Sequence, residues 1–244
     1  MSIVAVFKEA DTLIFSTDSR AMVLDNSAVA SDVEQKIFAI APNTFFAASG
    51  RTGAGECQLE RARKIAADLK TTDIQVIARE VARVSIPVLD ILLDRLRKET
   101  DETSRKVVSG ADIIQGFTLV GRSARKLGYV KCLFKAQADG TIKCTTEAYF
   151  EAKRKLTAQA GTPIEIFRKI ATEFANEPSN WTGPMDRASM RFLEAAKRET
   201  HSIGGPWQIV SMDSTGTHLV SMPAWAKYPA NSFVVPEGGK SESL

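Results

Sequence analysis

The chain has 244 residues, of which 44% are hydrophobic and 25% are charged, close to the composition of an ordinary globular protein. This composition excludes a disordered, collagen-like or fibrous protein, and the length allows a large hydrophobic core without disulfides or metals. The net charge of +3 is too small to favour nucleic acid or a membrane surface as a partner.

The cysteines, histidines and apolar runs limit the chemistry and the location of the protein. Three cysteines are scattered without a CxxC pair, which predicts reduced thiols in a cytoplasmic protein. Only two histidines are present, His201 and His218, so we expect no metal site and no cofactor. We also expect no membrane helix, because no apolar run is long enough, and no signal peptide, because charged residues interrupt the N-terminus.

In the first half of the chain, short β-branched and apolar runs predict strands that are followed by two helices. The strands are predicted at Ser2–Phe7, Thr12–Ser16, Met22–Ala28, Ile37–Ala41 and Thr44–Ala48. The first two are joined by the polar residues 8–11 and predict a β-hairpin. Helical spacing predicts one helix over Leu59–Leu69 and a second that Asp73 caps and Pro87 bends, with an apolar face from Ile77 to Leu92.

In the second half, strands return, and two further helices precede the last strand pair. The residues from Lys98 to Gly110 are expected to form a charged loop. Strands are predicted at Ile113–Gly121, Tyr129–Ala136, Ile142–Thr146, Trp207–Met212 and His218–Met222. A turn at Asp139-Gly140 joins the second and third of these strands. Helices are predicted from Thr162-Pro163 onward and over Pro184–Arg198.

This order of elements predicts an α+β fold, because hairpins dominate and pairs of helices separate batches of strands. We expect a four-layer αββα sandwich with two antiparallel sheets between helix pairs. Residues 1–235 are predicted to form a single domain, and residues 236–244 a mobile tail.

Residues in the N-terminal third stand in a specific register. Counted from Ser2, which begins the first strand, Asp18 is the seventeenth residue and Arg20 the nineteenth, and Gly50 follows Lys36 by fourteen residues. In this register the chain resembles the proteasome β-subunit family of N-terminal-nucleophile hydrolases, in its bacterial form. The resemblance covers residues 2–69 well and the remainder by element order. It implies the proteasome-subunit fold, a homo-oligomeric ring and cleavage of peptide or protein substrates, and it identifies neither cleavage preference nor an ATPase partner.

The resemblance also implies roles for these residues. After removal of Met1, Ser2 would be both nucleophile and base, because a free α-amine with a pKa of about 7.7–8.0 is partly unprotonated near neutrality. Lys36 would lower the pKa of the amine and the hydroxyl, and Asp18 would hold Lys36 in place. We expect a surface ion pair between Asp18 and Lys36, contributing about 0–1 kcal/mol to stability. Arg20 would be a structural support.

Further positions complete the implied site or depart from the family pattern. The Gly50 N–H would donate to the oxyanion of the tetrahedral intermediate. Thr162 keeps a hydroxyl where the family has a serine, and it suits a helix N-cap equally well. Before Gly204-Gly205, however, Thr200 and Ile203 stand where the family pattern has Asp and Ser. Because of these two replacements, the resemblance does not decide whether the protein completes a catalytic cycle.

Other functions compatible with these residues also stay open. One is a non-catalytic assembly subunit with the same fold, and another is an amidase of the same superfamily that acts on a small molecule. The Gly50–Gly55 stretch could cradle an anion but lacks the GxGxxG spacing, which favours a strand-to-helix turn. A Ser-His-Asp triad with His201 or His218 would need a serine on an elbow turn, and the sequence has no such motif.

Overall fold

The structure is a computed structural model that describes residues 3–22, 28–160 and 164–221. In these ranges the chain forms a mixed α+β structure with antiparallel sheets and five α-helices. The strands are β1 (Ile3–Glu9), β2 (Thr12–Thr17), β3 (Ala21–Met22), β4 (Val29–Ser31), β5 (Phe38–Ala41), β6 (Thr44–Gly50), β7 (Gln115–Ser123), β8 (Lys126–Ala136), β9 (Ile142–Tyr149), β10 (Lys155–Ala160), β11 (Gln208–Met212) and β12 (Thr217–Ser221). The helices are α1 (Thr52–Asp68), α2 (Ile74–Leu96), α3 (Glu102–Val108), α4 (Ile164–Asn176) and α5 (Met185–Glu199).

Three sheets organise these strands. The first sheet has the order β10-β1-β2-β11-β12, the second has the order β5-β6-β7-β8-β9, and β3 and β4 form a short ribbon. All pairings between these strands are antiparallel, as the sequence predicts. Residues from opposite ends of the chain therefore meet in the first sheet, where β2 lies between β1 and β11.

Hydrophobic residues are buried in three clusters. Because successive side chains of a strand point to opposite faces, the two faces of β1 contribute to different clusters. One face of β1 (Ile3, Ala5 and Phe7) packs with α4 and α5. Its other face, Val4 and Val6, joins residues of the second sheet in a cluster between the two sheets. A third cluster lies between the second sheet and the helices α1, α2 and α3. These contacts are compatible with an α+β sandwich.

The predicted charged loop from Lys98 to Gly110 is wrong, since this region contains α3. Asp101 caps the helix by accepting a hydrogen bond from the Ser104 N–H at 2.9 Å. Glu102 lies in the first turn and two basic residues lie in the last, which suits the helix dipole. Val107 anchors the helix in the core. The apolar face of a two-turn helix is too short to give a clear period.

Other boundaries also differ from the prediction. Strands β4 and β10 were not expected, and α1 begins at Thr52, within the glycine-containing stretch. Of the predicted strand Met22–Ala28, Met22 belongs to β3, and residues 23–27 lie outside the described ranges, as does the predicted tail. Asp73 caps α2 as predicted, accepting from the N–H groups of Gln75 and Val76, and the helix continues beyond Pro87. None of the helices in the described ranges is long and apolar enough to cross a membrane.

Candidate functional site

The carboxylate of Asp18 lies at the end of β2 and is fully buried. Its Oδ1 accepts from the backbone N–H of Ile3 at 3.1 Å and from Lys36 Nζ at 2.9 Å. Its Oδ2 accepts from the N–H groups of Arg20 at 3.2 Å and Gly204 at 3.4 Å. One carboxylate thus connects the beginning of β1, the Lys36 segment and the glycine pair before β11.

Lys36 precedes β5, and only 9% of its side chain is exposed. Its ammonium group donates to Asp18 and to the backbone carbonyl of Arg20. Burial lowers the pKa of Lys36, although the charge and the hydrogen bond of Asp18 oppose this shift. The expectation of a surface ion pair is therefore wrong: the predicted partners do meet, but in the interior, because β11 and the loops beside it cover them.

Arg20 connects two loops around this ion pair. Its guanidinium group contacts both carboxylate oxygens of Asp32, at 2.6 and 3.1 Å, and donates to the carbonyl of His201 at 2.6 Å. The group packs so closely on Gly204 that a Cβ at this position would lie 2.6 Å from Arg20 Cζ. The hydrogen bond from Arg20 also lowers the pKa of Asp32. These contacts suit a structural support.

Gly50 lies at the end of β6, in the second sheet, immediately before α1. Its φ of +121° is a conformation that residues with a side chain rarely adopt. A Cβ here would also lie 2.3 Å from Gln115 Oε1. The same oxygen accepts from the Arg51 N–H at 2.8 Å, so the buried Gln115 amide fixes the backbone that follows Gly50.

Two predicted site residues, Ser2 and Thr162, lie outside the described ranges. Ile3 follows Ser2, and Ala160 lies two residues before Thr162. Ile3 and Ala160 are register partners on the adjacent strands β1 and β10. Among the predicted site residues in the described ranges, Asp18, Arg20 and Lys36 lie together, whereas Gly50 lies in the other sheet.

The two departures from the family pattern have different environments. Ile203 is fully buried and packs with α4, α5 and the first sheet, so an apolar residue occupies this position for its packing. The hydroxyl of Thr200 lies 2.8 Å from that of Ser202, which is buried. Neither residue supplies the carboxylate that the pattern has at position 200.

The structure gives little support to the alternative sites, namely a Ser-His-Asp triad, an anion-binding loop and a metal site. His218, on β12, has Asp213 Oδ1 at 3.3 Å and Thr215 Oγ1 at 3.0 Å from the same ring nitrogen, Nε2, whereas a catalytic triad uses one ring nitrogen for the carboxylate and the other for the hydroxyl. The alternative of an anion-binding loop at Gly50–Gly55 is not supported either, because Gly53 and Gly55 belong to α1 and do not form a loop before it. Among the residues described here, no group of three or more His, Cys, Asp or Glu side chains could hold a metal ion.

Two buried glutamines take part in this arrangement, and the sequence did not point to them. Gln115 holds the turn after Gly50, and Gln208 contacts the Lys36 segment from β11. A glutamine within an apolar strand is the signal that could have identified them, since burying an amide requires hydrogen-bond partners.

Comparison of the chain with models of known protein families finds no match, and comparison with curated protein sequences finds none either. The proteasome-like assignment therefore remains a prediction from the motif register.

Proposed function

We propose that this protein is an N-terminal-nucleophile hydrolase of the proteasome β-subunit type that cleaves peptide or other amide bonds. The observation that carries the proposal is the buried Asp18–Lys36 ion pair, whose carboxylate also binds the N–H of Ile3, the residue after Ser2. Burying two charges is expensive, and a mechanism that needs a positive charge beside the first residue of β1 gives a reason for it.

In the proposed reaction, removal of Met1 frees the α-amine of Ser2. This amine takes the hydroxyl proton, directly or through water, while Oγ attacks the carbonyl carbon of the substrate. The Lys36 charge favours the unprotonated amine and the ionised hydroxyl. The N–H of Gly50 donates to the oxyanion, the leaving amine receives the proton, and water hydrolyses the resulting ester.

The proposal includes the four-layer αββα fold and a cytoplasmic homo-oligomeric ring. The three hydrophobic clusters support the layers, because one lies between the sheets and the others lie between a sheet and helices. Ile91 on α2 and Leu69 at the end of α1 are more than half exposed, which supports an assembly through this helix pair. Free cysteines are compatible with the cytoplasm.

The experiment is covalent labelling with a β-lactone, followed by intact-mass analysis and peptide mapping. We expect loss of the mass of one methionine residue and one label per chain on Ser2. The Ser2→Ala variant should take up none. A label on Cys57, or a label that survives Ser2→Ala, contradicts the assignment of the nucleophile.

The burial of Ile203 favours a second candidate, a non-catalytic assembly subunit with the same fold. In that case light scattering reports an oligomer much larger than 26.6 kDa, while Met1 is retained and no label is incorporated.

A further inference from the structure

Gln208, the first residue of β11, is fully buried and uses both ends of its amide. Its Oε1 accepts from the backbone N–H groups of Lys36 at 2.9 Å and Ile37 at 3.1 Å. Its Nε2 donates to Ser19 Oγ and to the carbonyl of Glu34, each at 2.7 Å. The amide thus makes the four hydrogen bonds available to it, and the partners fix its orientation.

These bonds replace secondary structure in the segment that carries Lys36. Residues 33–37 belong to neither a helix nor a strand, so no ladder holds the N–H groups of Lys36 and Ile37. Gln208 supplies the acceptor that a neighbouring strand would otherwise provide. A backbone bond from the Glu34 N–H to the Ser19 carbonyl, at 3.0 Å, fastens the other end of the segment.

The position of Gln208 connects this segment to Asp18. In the first sheet Gln208 is the register partner of Thr17, the residue before Asp18. The strand ends that carry the carboxylate and the amide are therefore neighbours, and the amide sets where the Lys36 backbone lies relative to the carboxylate. A shift of this backbone would withdraw the ammonium group from Asp18 Oδ1.

We infer that Gln208 is a positioning residue, which holds the Lys36 backbone so that the ammonium group lies beside Asp18 and the beginning of β1. The effect on reactivity rests on the proposed function, whereas the effect on the location of Lys36 does not. A merely structural glutamine would stabilise the fold without influencing the protonation of the N-terminal amine.

The test compares Gln208→Met with Gln58→Met. Gln58 is an equally buried glutamine on α1 that donates to Ser85 at 3.4 Å, in the helix pair on the second sheet. In Gln208→Met we expect labelling of Ser2 to slow by about tenfold or more, since small misplacements near a reacting group are costly. The midpoint of the labelling rate against pH should also rise toward about 7.7–8.0, the value of a free α-amine. Gln58→Met removes one long hydrogen bond and a buried oxygen without a partner, so it should change stability little and leave this midpoint unmoved.

A second readout needs no activity, namely acetylation of Lys36 by a water-soluble active ester, measured by mass spectrometry on the folded protein. Lys36 should be protected in the wild type and in Gln58→Met, and modified in Gln208→Met. Gln208→Asn has a side chain one carbon shorter, which cannot reach both N–H groups and should also leave Lys36 open to modification, so it serves as the test if Gln208→Met does not fold.

The outcomes separate the two proposals. If wild-type Ser2 takes up no label, the proposed function fails, and acetylation alone decides the role of Gln208. A folded Gln208→Met variant with an unchanged midpoint or a protected Lys36 overturns the inference, as does a protected Lys36 in a folded Gln208→Asn variant.

Discussion

Replacing Lys36 with methionine tests the energetic role of the buried ion pair. The substitution keeps an unbranched side chain of nearly the same length and removes its charge, which leaves the carboxylate of Asp18 buried without its cation. Removing one partner of a buried ion pair costs about 3–5 kcal/mol. Asp18 would still accept from three backbone N–H groups, so we expect the lower end of this range, about 3 kcal/mol.

For a chain of this length, each kcal/mol corresponds to about 2–4 °C in the thermal midpoint, so the midpoint should fall by about 6–12 °C. Thermal and urea unfolding followed by circular dichroism would measure both quantities. The matched control is Lys106→Met, because Lys106 pairs with Glu102 at 2.6 Å on the exposed face of α3. This pair should contribute little to stability, because it is exposed and water and salt screen it.

The reasoning is refuted if Lys36→Met loses no more stability than Lys106→Met. The double variant Asp18→Asn/Lys36→Met gives a further check. Because it removes both charges, it should be less destabilised than the sum of the single variants.

Two further predictions concern backbone conformation and pH. Gly50→Ala should lower the free energy of unfolding by about 1–3 kcal/mol, because φ is +121° and the new Cβ would meet Gln115. Gly53→Ala, whose Cβ would lie in open space on α1, should raise the free energy of unfolding by about 0.5–1 kcal/mol. Urea unfolding measures both changes. Equal effects at the two glycines would contradict this account. Burial and the hydrogen bond to Glu147 raise the pKa of Tyr129 above its ordinary 10.0, so the native state keeps a proton that the unfolded state releases. The stability from this residue is complete below about pH 10 and is lost above it, so Tyr129→Phe should flatten the alkaline decline measured by urea unfolding at a series of pH values.

The sequence predicted the elements whose patterns are local. The β1–β2 hairpin follows from two short apolar runs joined by polar residues, and the Asp73 cap follows from a side chain that bonds two residues ahead. Strand β10 was missed, because its six residues carry lysine and glutamine and it pairs with β1, more than 140 residues away in the chain. Its place in the sheet depends on tertiary contact that no local period reports.

The candidate site also combines contacts that the sequence predicted with contacts that it did not. The register of Asp18 and Lys36 predicted that they meet, and they do. Their burial depends on Gly204 and Gln208, which come from the far end of the sequence and carry no motif that connects them with Lys36. Partners separated by so many residues cannot be identified from a single chain by spacing or periodicity.

The bonds that Gln208 and Gly204 make toward the Lys36 segment and Asp18 join residues 171 to 186 positions apart. During synthesis the N-terminal part of a chain emerges first, and long-range pairings form last. Asp18 and Lys36 are therefore made early, but the amide and the N–H that complete their surroundings arrive only with the last fifth of the chain. An unfinished chain therefore lacks the contacts that bury the Asp18–Lys36 pair, and under the proposed function the order of synthesis also delays the activation of Ser2.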